Sequence, residues 1–139
     1  MPWQPGTLTA VARNTGREVA RHELKTAGAP RSLRLTPDRS ALHADGEDLS
    51  HITVEVMDAN GIVVPDANHL IKFAVTGPGS NAGVQNSDST SDELFQADHR
   101  HAYEGRMLLV VRTKRQPGEI TVKATAEGLE PAILVMKVQ

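Results

Sequence analysis

Residues 44–65 read ADGEDLSHITVEVMDANGIVVP, and the fold of the chain turns on them. Ala44-Asp45-Gly46 is a turn signal. Strict alternation follows, with Ile52, Val54 and Val56 on one face and Thr53, Glu55 and Met57 on the other. Successive side chains of a strand point to opposite faces, so this pattern predicts one buried and one wet face. Asn60-Gly61 then predicts a tight two-residue turn, because both central positions of such a turn need positive φ. The stretch is expected to form a strand over 49–58, a hairpin turn, and a second strand over 62–64.

Turn signals recur on both sides at the spacing of an all-β sandwich. Ser32–Thr36 is a short strand with Leu33 and Leu35 on one face, broken by Pro37-Asp38-Arg39-Ser40; Ala41–Ala44 is placed at a sheet edge. Leu70–Thr76 alternates again, with Ile71, Phe73 and Val75 inward, and ends at Gly77-Pro78-Gly79. Ser80–Ser91 reads as polar loop with at most a short strand near Val84. Arg106–Thr113 holds an unbroken apolar run, Met107–Val111, as a central strand does. Ile120, Val122, Ala124 and Ala126 alternate with polar residues, and Ile133–Val138 closes the series. The expected core is Leu33, Leu35, Ile52, Val54, Val56, Ile71, Phe73, Val75, Leu108, Val110, Ile120, Val122 and Val135. No segment has helical periodicity.

The first 29 residues read differently. Thr7–Arg13 and Glu18–Thr26 form two short β patterns around an Asn14-Thr15-Gly16 turn, and Ala27-Gly28-Ala29-Pro30 reads as a linker. A lone hairpin is marginally stable at best, so this one is expected to need a sheet to join.

Composition excludes several classes of function. With no cysteine there is no disulfide, thiol chemistry or Cys-based zinc site. A net charge of −2 gives no electrostatic reason to expect nucleic acid or an anionic membrane. No apolar run approaches the roughly 18 residues of a membrane span. Met1-Pro2-Trp3-Gln4-Pro5-Gly6 has neither the basic nor the apolar region of a signal peptide, so if the parent protein is exported, to the periplasm or beyond, its signal is expected upstream. Aromatic residues are scarce, with only Trp3, Phe73, Phe95 and Tyr103.

Asp45-Gly46, Thr53-Val54-Glu55-Val56-x-Asp58, Asn60-Gly61, Phe73-x-Val75-x-Gly77-Pro78-Gly79 and Pro117-Gly118-x-Ile120-Thr121-Val122-x-Ala124 share the outline of bacterial immunoglobulin-like domains, including those of invasin- and intimin-type adhesins. A narrower pattern runs through Pro5-Gly6-x-Leu8-x-Ala10-Val11-Ala12, Lys25-Thr26-Ala27-Gly28-Ala29-Pro30 and Leu35-Thr36-Pro37-Asp38-Arg39. It continues in Phe95-Gln96-Ala97-Asp98-x-Arg100 and Tyr103-x-Gly105-Arg106. In that order, these motifs resemble the C-terminal region of family 2 glycoside hydrolases of the bacterial β-galactosidase type.

The resemblance implies an all-β, immunoglobulin-like antiparallel sandwich over residues 30–139. Residues 1–29 would be the terminal hairpin of a preceding β-sandwich domain plus linker, with Trp3 packed on that domain. It implies a non-catalytic accessory domain of a glycosidase, with no cofactor, whose partners are the other domains of the parent and, further, carbohydrate. Two alternatives stay open: a spacer module of a bacterial surface adhesin, and a carbohydrate-binding module. The absence of an internal repeat weighs against the first, and the scarcity of aromatic stacking platforms against the second.

No catalytic constellation stands out. Retaining glycosidases need two carboxyl groups roughly 5–5.5 Å apart, and the resemblance places both, as glutamates, on a (β/α)8 barrel of about 250 residues that this chain is too short to form. Glu55, Glu104, Glu119 and the pair Asp92-Glu93 are expected to be solvated surface groups. His99 and His101, two apart beside Asp98, would share a strand face, but no third or fourth ligand can be named and no metal is expected. Asp58 is expected to accept backbone hydrogen bonds at the hairpin mouth. No Gly-x-Ser-x-Gly elbow or phosphate loop is present. The residues singled out are Phe95, Arg100 and Tyr103, an aromatic and cationic cluster that turn chemistry does not explain. They are read as stabilising the domain or its seam with the rest of the enzyme, with sugar contact as the second role.

Overall fold

A computed structural model describes residues 4–139. Its eleven strands are β1 Thr7–Asn14, β2 Arg17–Lys25, β3 Ser32–Pro37, β4 Ala41–Leu42, β5 Leu49–Met57, β6 Leu70–Thr76, β7 Gly79–Gln85, β8 His99–His101, β9 Arg106–Thr113, β10 Gly118–Ala126 and β11 Ala132–Val138. Strands β3 to β11 form a two-sheet sandwich. One sheet has the order β3-β5-β9-β7 and the other β4-β11-β10-β6-β8. Every pairing is antiparallel except β4 with β11. The chain is all-β, as its periodicity predicts.

The core lies between the sheets. Ile52, Val54 and Val56 of β5 are fully buried and face Ile71 and Phe73 of β6 and Ile120 and Val122 of β10 across the layer. Leu35 and Val75 are half-buried at its margin. Leu42, Val64, Ala67, Val84 and Ala102 complete it from loops and edges, where single apolar residues carry no periodic signal.

Two strands differ in phase from the sequence expectation. Met107, Leu109 and Val111 point inward on β9, while Leu108 and Val110 are only partly buried on the outer face. An unbroken apolar run has no phase of its own, and a one-residue slip reverses every side chain. The partner strand sets it: Ile52 lies opposite Leu109 and Val54 opposite Met107, so those pairs share the buried face. On β11, Met136 and Val138 face inward and Val135 is 49% exposed. Pairing Ile120 with Met136, and Thr121 with Val135, fixes that outcome.

Two local expectations are also corrected. Residues 62–64 are not the second strand of a hairpin, since only a Met57–Val63 bridge forms there and β5 already has β3 and β9 on its two edges. Gly61 has φ of 75° but Asn60 is not left-handed, so this is no two-residue hairpin turn. The Asp58 carboxylate organises the turn by accepting from Asn60 N at 2.8 Å and Ile62 N at 2.9 Å. The polar stretch after Gly79 is a true strand, β7, paired along one edge with β9 and bulged between Asn81 and Gly83. Its Ser-Asn-Ala-Gly sequence has weak β propensity, and the ladder to β9 overrides it.

Residues 7–25 stand apart from the sandwich. Thr15 at φ 47° and Gly16 at 82° close β1 onto β2 in a two-residue turn, and every residue of both strands is exposed. Leu8, Ala10 and Ala12 pair with Leu24, His22 and Ala20 on one face. Along the other run ion pairs of Arg21 with Glu18 and Glu23, and of Lys25 with Glu23. The result is a two-sided ribbon whose apolar face no other described residue covers. Trp3 lies outside the described residues. The linker is anchored, however. Ala27 packs on the core, and Gly28 N donates to Asp58 Oδ2 at 2.7 Å. That bond, with those from Ile62 and Asn60, holds the Asp58 carboxyl below the usual carboxylate range.

Candidate functional site

The segment between β7 and β8 is a strap that crosses from one sheet to the other. Val84 N of β7 donates to the Phe95 carbonyl at 2.7 Å, and Phe73 N of β6 donates to the Asp98 carbonyl at 2.7 Å. Asn81 Nδ2 adds a bond to the Ala97 carbonyl at 2.8 Å. A polar excursion thus covers the open edge of β7 and lengthens the pairing of β6 beyond β8, which protects an unpaired edge from other chains.

Arg100 is the linchpin of the strap. It sits opposite Ile71 with only 1% of its surface exposed, the largest fully buried side chain of the described residues. Its guanidinium lies 4.8 Å from the centroid of the Phe95 ring and donates from Nη1 to the Glu93 carbonyl at 2.8 Å. Nε is buried without a partner. The alternation of β8 then places His99 and His101 on the outer face. They engage different carboxylates, His99 with Asp98 at 2.7 Å and His101 with Glu93 at 2.8 Å. Among the described residues no three His, Cys, Asp or Glu side chains are grouped to hold a metal.

Asn86 was passed over in the sequence, and Glu93, expected as a solvated surface group, is instead half-buried against His101. Asn86 is buried, donates to the His101 carbonyl at 3.0 Å and accepts from Asp88 N at 3.1 Å. Ser91 Oγ accepts from Glu93 N, and the Glu93 carboxylate takes up both the backbone N–H and the ring of His101. Burial pushes the Glu93 carboxyl up, but the His101 hydrogen bonds and charge outweigh it and the net shift is downward. The Asn86-x-Asp88 and Ser91-x-Glu93 spacings are turn patterns that could have flagged this order.

Beside the strap lies an open cleft of about 610 Å³, bounded by the Pro65–Asn68 loop, residues 86–93 and the Tyr103-Glu104 turn. Its walls carry Pro65, Ala67 and Ala102 together with Tyr103, which is 43% exposed. Asp66, Asn68, Asp88, Asp92, Glu93 and Glu104 supply the polar part. Glu104 at φ 49° and Gly105 at 73° make a tight turn closed by bonds in both directions between Tyr103 and Arg106. Gly105 ties this turn to the body: its N–H donates to Ala67 O, and its carbonyl accepts from Val56 N. The cleft therefore lies at the end of the sandwich where the linker enters, since Arg31 N donates to Met57 O one residue further along β5.

Of the three residues singled out from sequence, Phe95 and Arg100 meet each other, and Tyr103 stands apart from them in the cleft. Glu55 departs from the solvated role expected of it. It is 9% exposed on the outer face of β5, between its cross-strand partners Arg34 and Arg106, and is bonded to both. Burial raises its carboxyl, and the two guanidinium groups more than reverse this.

The architecture is that of an immunoglobulin-like sandwich module carrying an extra N-terminal ribbon. Residues 33–135 match the family model described as glycoside hydrolase family 2 C-terminal domain 5, and the chain belongs to that family. It is 46% identical over 132 residues to the β-galactosidase BoGH2A of Bacteroides ovatus, an alignment that covers 95% of this chain and 16% of that protein. A crystal structure of a family 2 glycosyl hydrolase from Bacteroides cellulosilyticus superposes on all of it with a TM-score of 0.94 at 37% identity, covering 18% of that chain. A fragment of the adhesin intimin shares the fold alone, with a TM-score of 0.52 at 19% identity over 76% of this chain and 32% of its own. The chain thus spans about one sixth of the curated relative's length.

Proposed function

We propose that this chain is the non-catalytic C-terminal module of a β-galactosidase-like glycoside hydrolase, and that its N-terminal ribbon completes the preceding domain of the same polypeptide. The family match over residues 33–135, within a relative several times longer, carries the reading. The state of the carboxylates supports it. Glu55 is fixed between two arginines and Glu93 by His101, so neither is poised as a free acid or nucleophile. Incubated with an aryl β-galactoside, the chain is expected to release no more product than buffer. Turnover that survives repurification, and is abolished by replacing one carboxylate of this chain, would overturn the assignment.

The ribbon supports the second half of the reading. Leu8 is 69% exposed and Leu24 58%, on a face left open by the described residues. Two strands without a third are not expected to persist alone in water, so a neighbouring sheet is the natural partner. Deleting residues 1–26, which keeps Ala27 on the core and Gly28 on Asp58, is expected to leave the sandwich folded with its melting temperature nearly unchanged. Collapse of the sandwich on that deletion would show the ribbon to be part of its fold.

A further inference from the structure

The cleft at the linker end is open to solvent among the described residues. Its volume falls within the usual range for small-ligand sites. Its make-up is mixed: the Tyr103 ring and Pro65 offer apolar surface, while Asp66, Asn68, Asp92 and Glu104 offer oxygens and an amide. Among the described residues, none of these four polar side chains nor the Tyr103 hydroxyl makes a hydrogen bond within the protein. They are a set of free acceptors around a half-exposed ring.

That combination suits a sugar. A pyranose has an apolar face for an aromatic ring and a rim of hydroxyl groups that donate to carboxylates and amides. The surplus of carboxylates selects among sugars, since an ionised uronate or sulfate would meet like charge. The backbone beneath is held in place. Glu104, left-handed at φ 49°, stands in the cleft wall. Holding a side chain in that region costs energy that surrounding structure must offset, and such positions gather at ligand clamps.

We infer that this cleft binds a neutral oligosaccharide, with Tyr103 as the stacking platform and Asn68, Asp92 and Glu104 as acceptors for its hydroxyl groups. The placement at the linker end puts that sugar on the side of the sandwich from which the chain leads to the rest of the protein. The inference rests on the glycosidase reading only for the choice of probe, and its test needs no turnover.

The experiment is an NMR titration of the ¹⁵N-labelled chain with a neutral β-linked galacto-oligosaccharide. A uronate-bearing oligosaccharide of equal length and calcium chloride alone are titrated in parallel. The expected result is saturable shifts confined to residues 65–68, 88–93 and 101–105 with the neutral probe alone. Tyr103→Ala is expected to weaken binding about tenfold, as loss of a stacking platform does, and Tyr103→Phe to keep most of it. Melting curves of both variants establish that they fold. Absence of saturable shifts overturns the inference. So does stronger binding of the uronate, a response to calcium instead of sugar, or equal affinity in folded Tyr103→Ala. None of these outcomes bears on whether a catalytic domain precedes this one, so the two readings fail separately.

Discussion

Gly105→Ala should cost the sandwich about 3–5 kcal/mol, the range reserved for mutations with a clear steric cause. Two effects add. The left-handed backbone at φ 73° costs an L-residue about 1–2 kcal/mol. An added Cβ would also lie 2.2 Å from the Val64 carbonyl oxygen, a backbone atom that cannot rotate away. The turn would have to lift off the Val64–Ala67 loop, breaking the bonds of Gly105 to Ala67 and Val56 and opening one wall of the cleft. Thermal unfolding of the purified chain checks this: the expected drop is about 10 °C or more, at roughly 4 °C per kcal/mol for a domain of this size. A loss of a degree or two would mean that the turn adapts at little cost and that the contact is not a constraint.

Arg100→Ala should be nearly as damaging, at about 3 kcal/mol, and for a different reason. The substitution removes the group that spans Phe95 and the Glu93 carbonyl, and leaves a void beside Ile71. The informative comparison is Arg100→Met. Methionine keeps an apolar stem of similar reach and removes a buried cation that forms no ion pair with any described carboxylate. Replacing buried charge by apolar volume is often neutral or better. Methionine is therefore expected to recover most of the loss suffered by alanine. Equal damage from both would mean that the hydrogen bond and ring contact, not filled volume, hold the strap. Melting points of all three proteins, measured side by side, decide it.

How far the sequence could be read follows from where its information is local. Alternation in β5, β6 and β10 carries phase, and Ile52, Val54, Val56, Ile71, Phe73, Ile120 and Val122 are buried as it dictates. Where alternation fails, as in Met107–Val111, only the neighbouring strand sets the phase, and no window of sequence contains that neighbour. The edge strand β7 is silent for the same reason, being β by pairing and not by propensity. The cluster of Phe95, Arg100 and Tyr103 was visible as an anomaly of composition, but its division was not. Two of its members face each other across the strap and the third lines the cleft. The burial of Arg100 had no signal, because a cation in a His-Arg-His run reads as solvent-facing.

The parallel pairing of β4 with β11 has a consequence in time. Ala41 and Leu42 have no other strand partner, and theirs arrives only with Lys137 and Val138, almost the whole length of the sandwich later. On the ribosome, the five-stranded sheet waits for that last segment to clear the exit tunnel, whereas β1 and β2 form from residues only a few places apart and emerge first. The ribbon has thus made its own pairing before the sandwich that follows it has closed. Any ribosomal pause before residue 137 would leave Leu42, a core residue, without its strand partner.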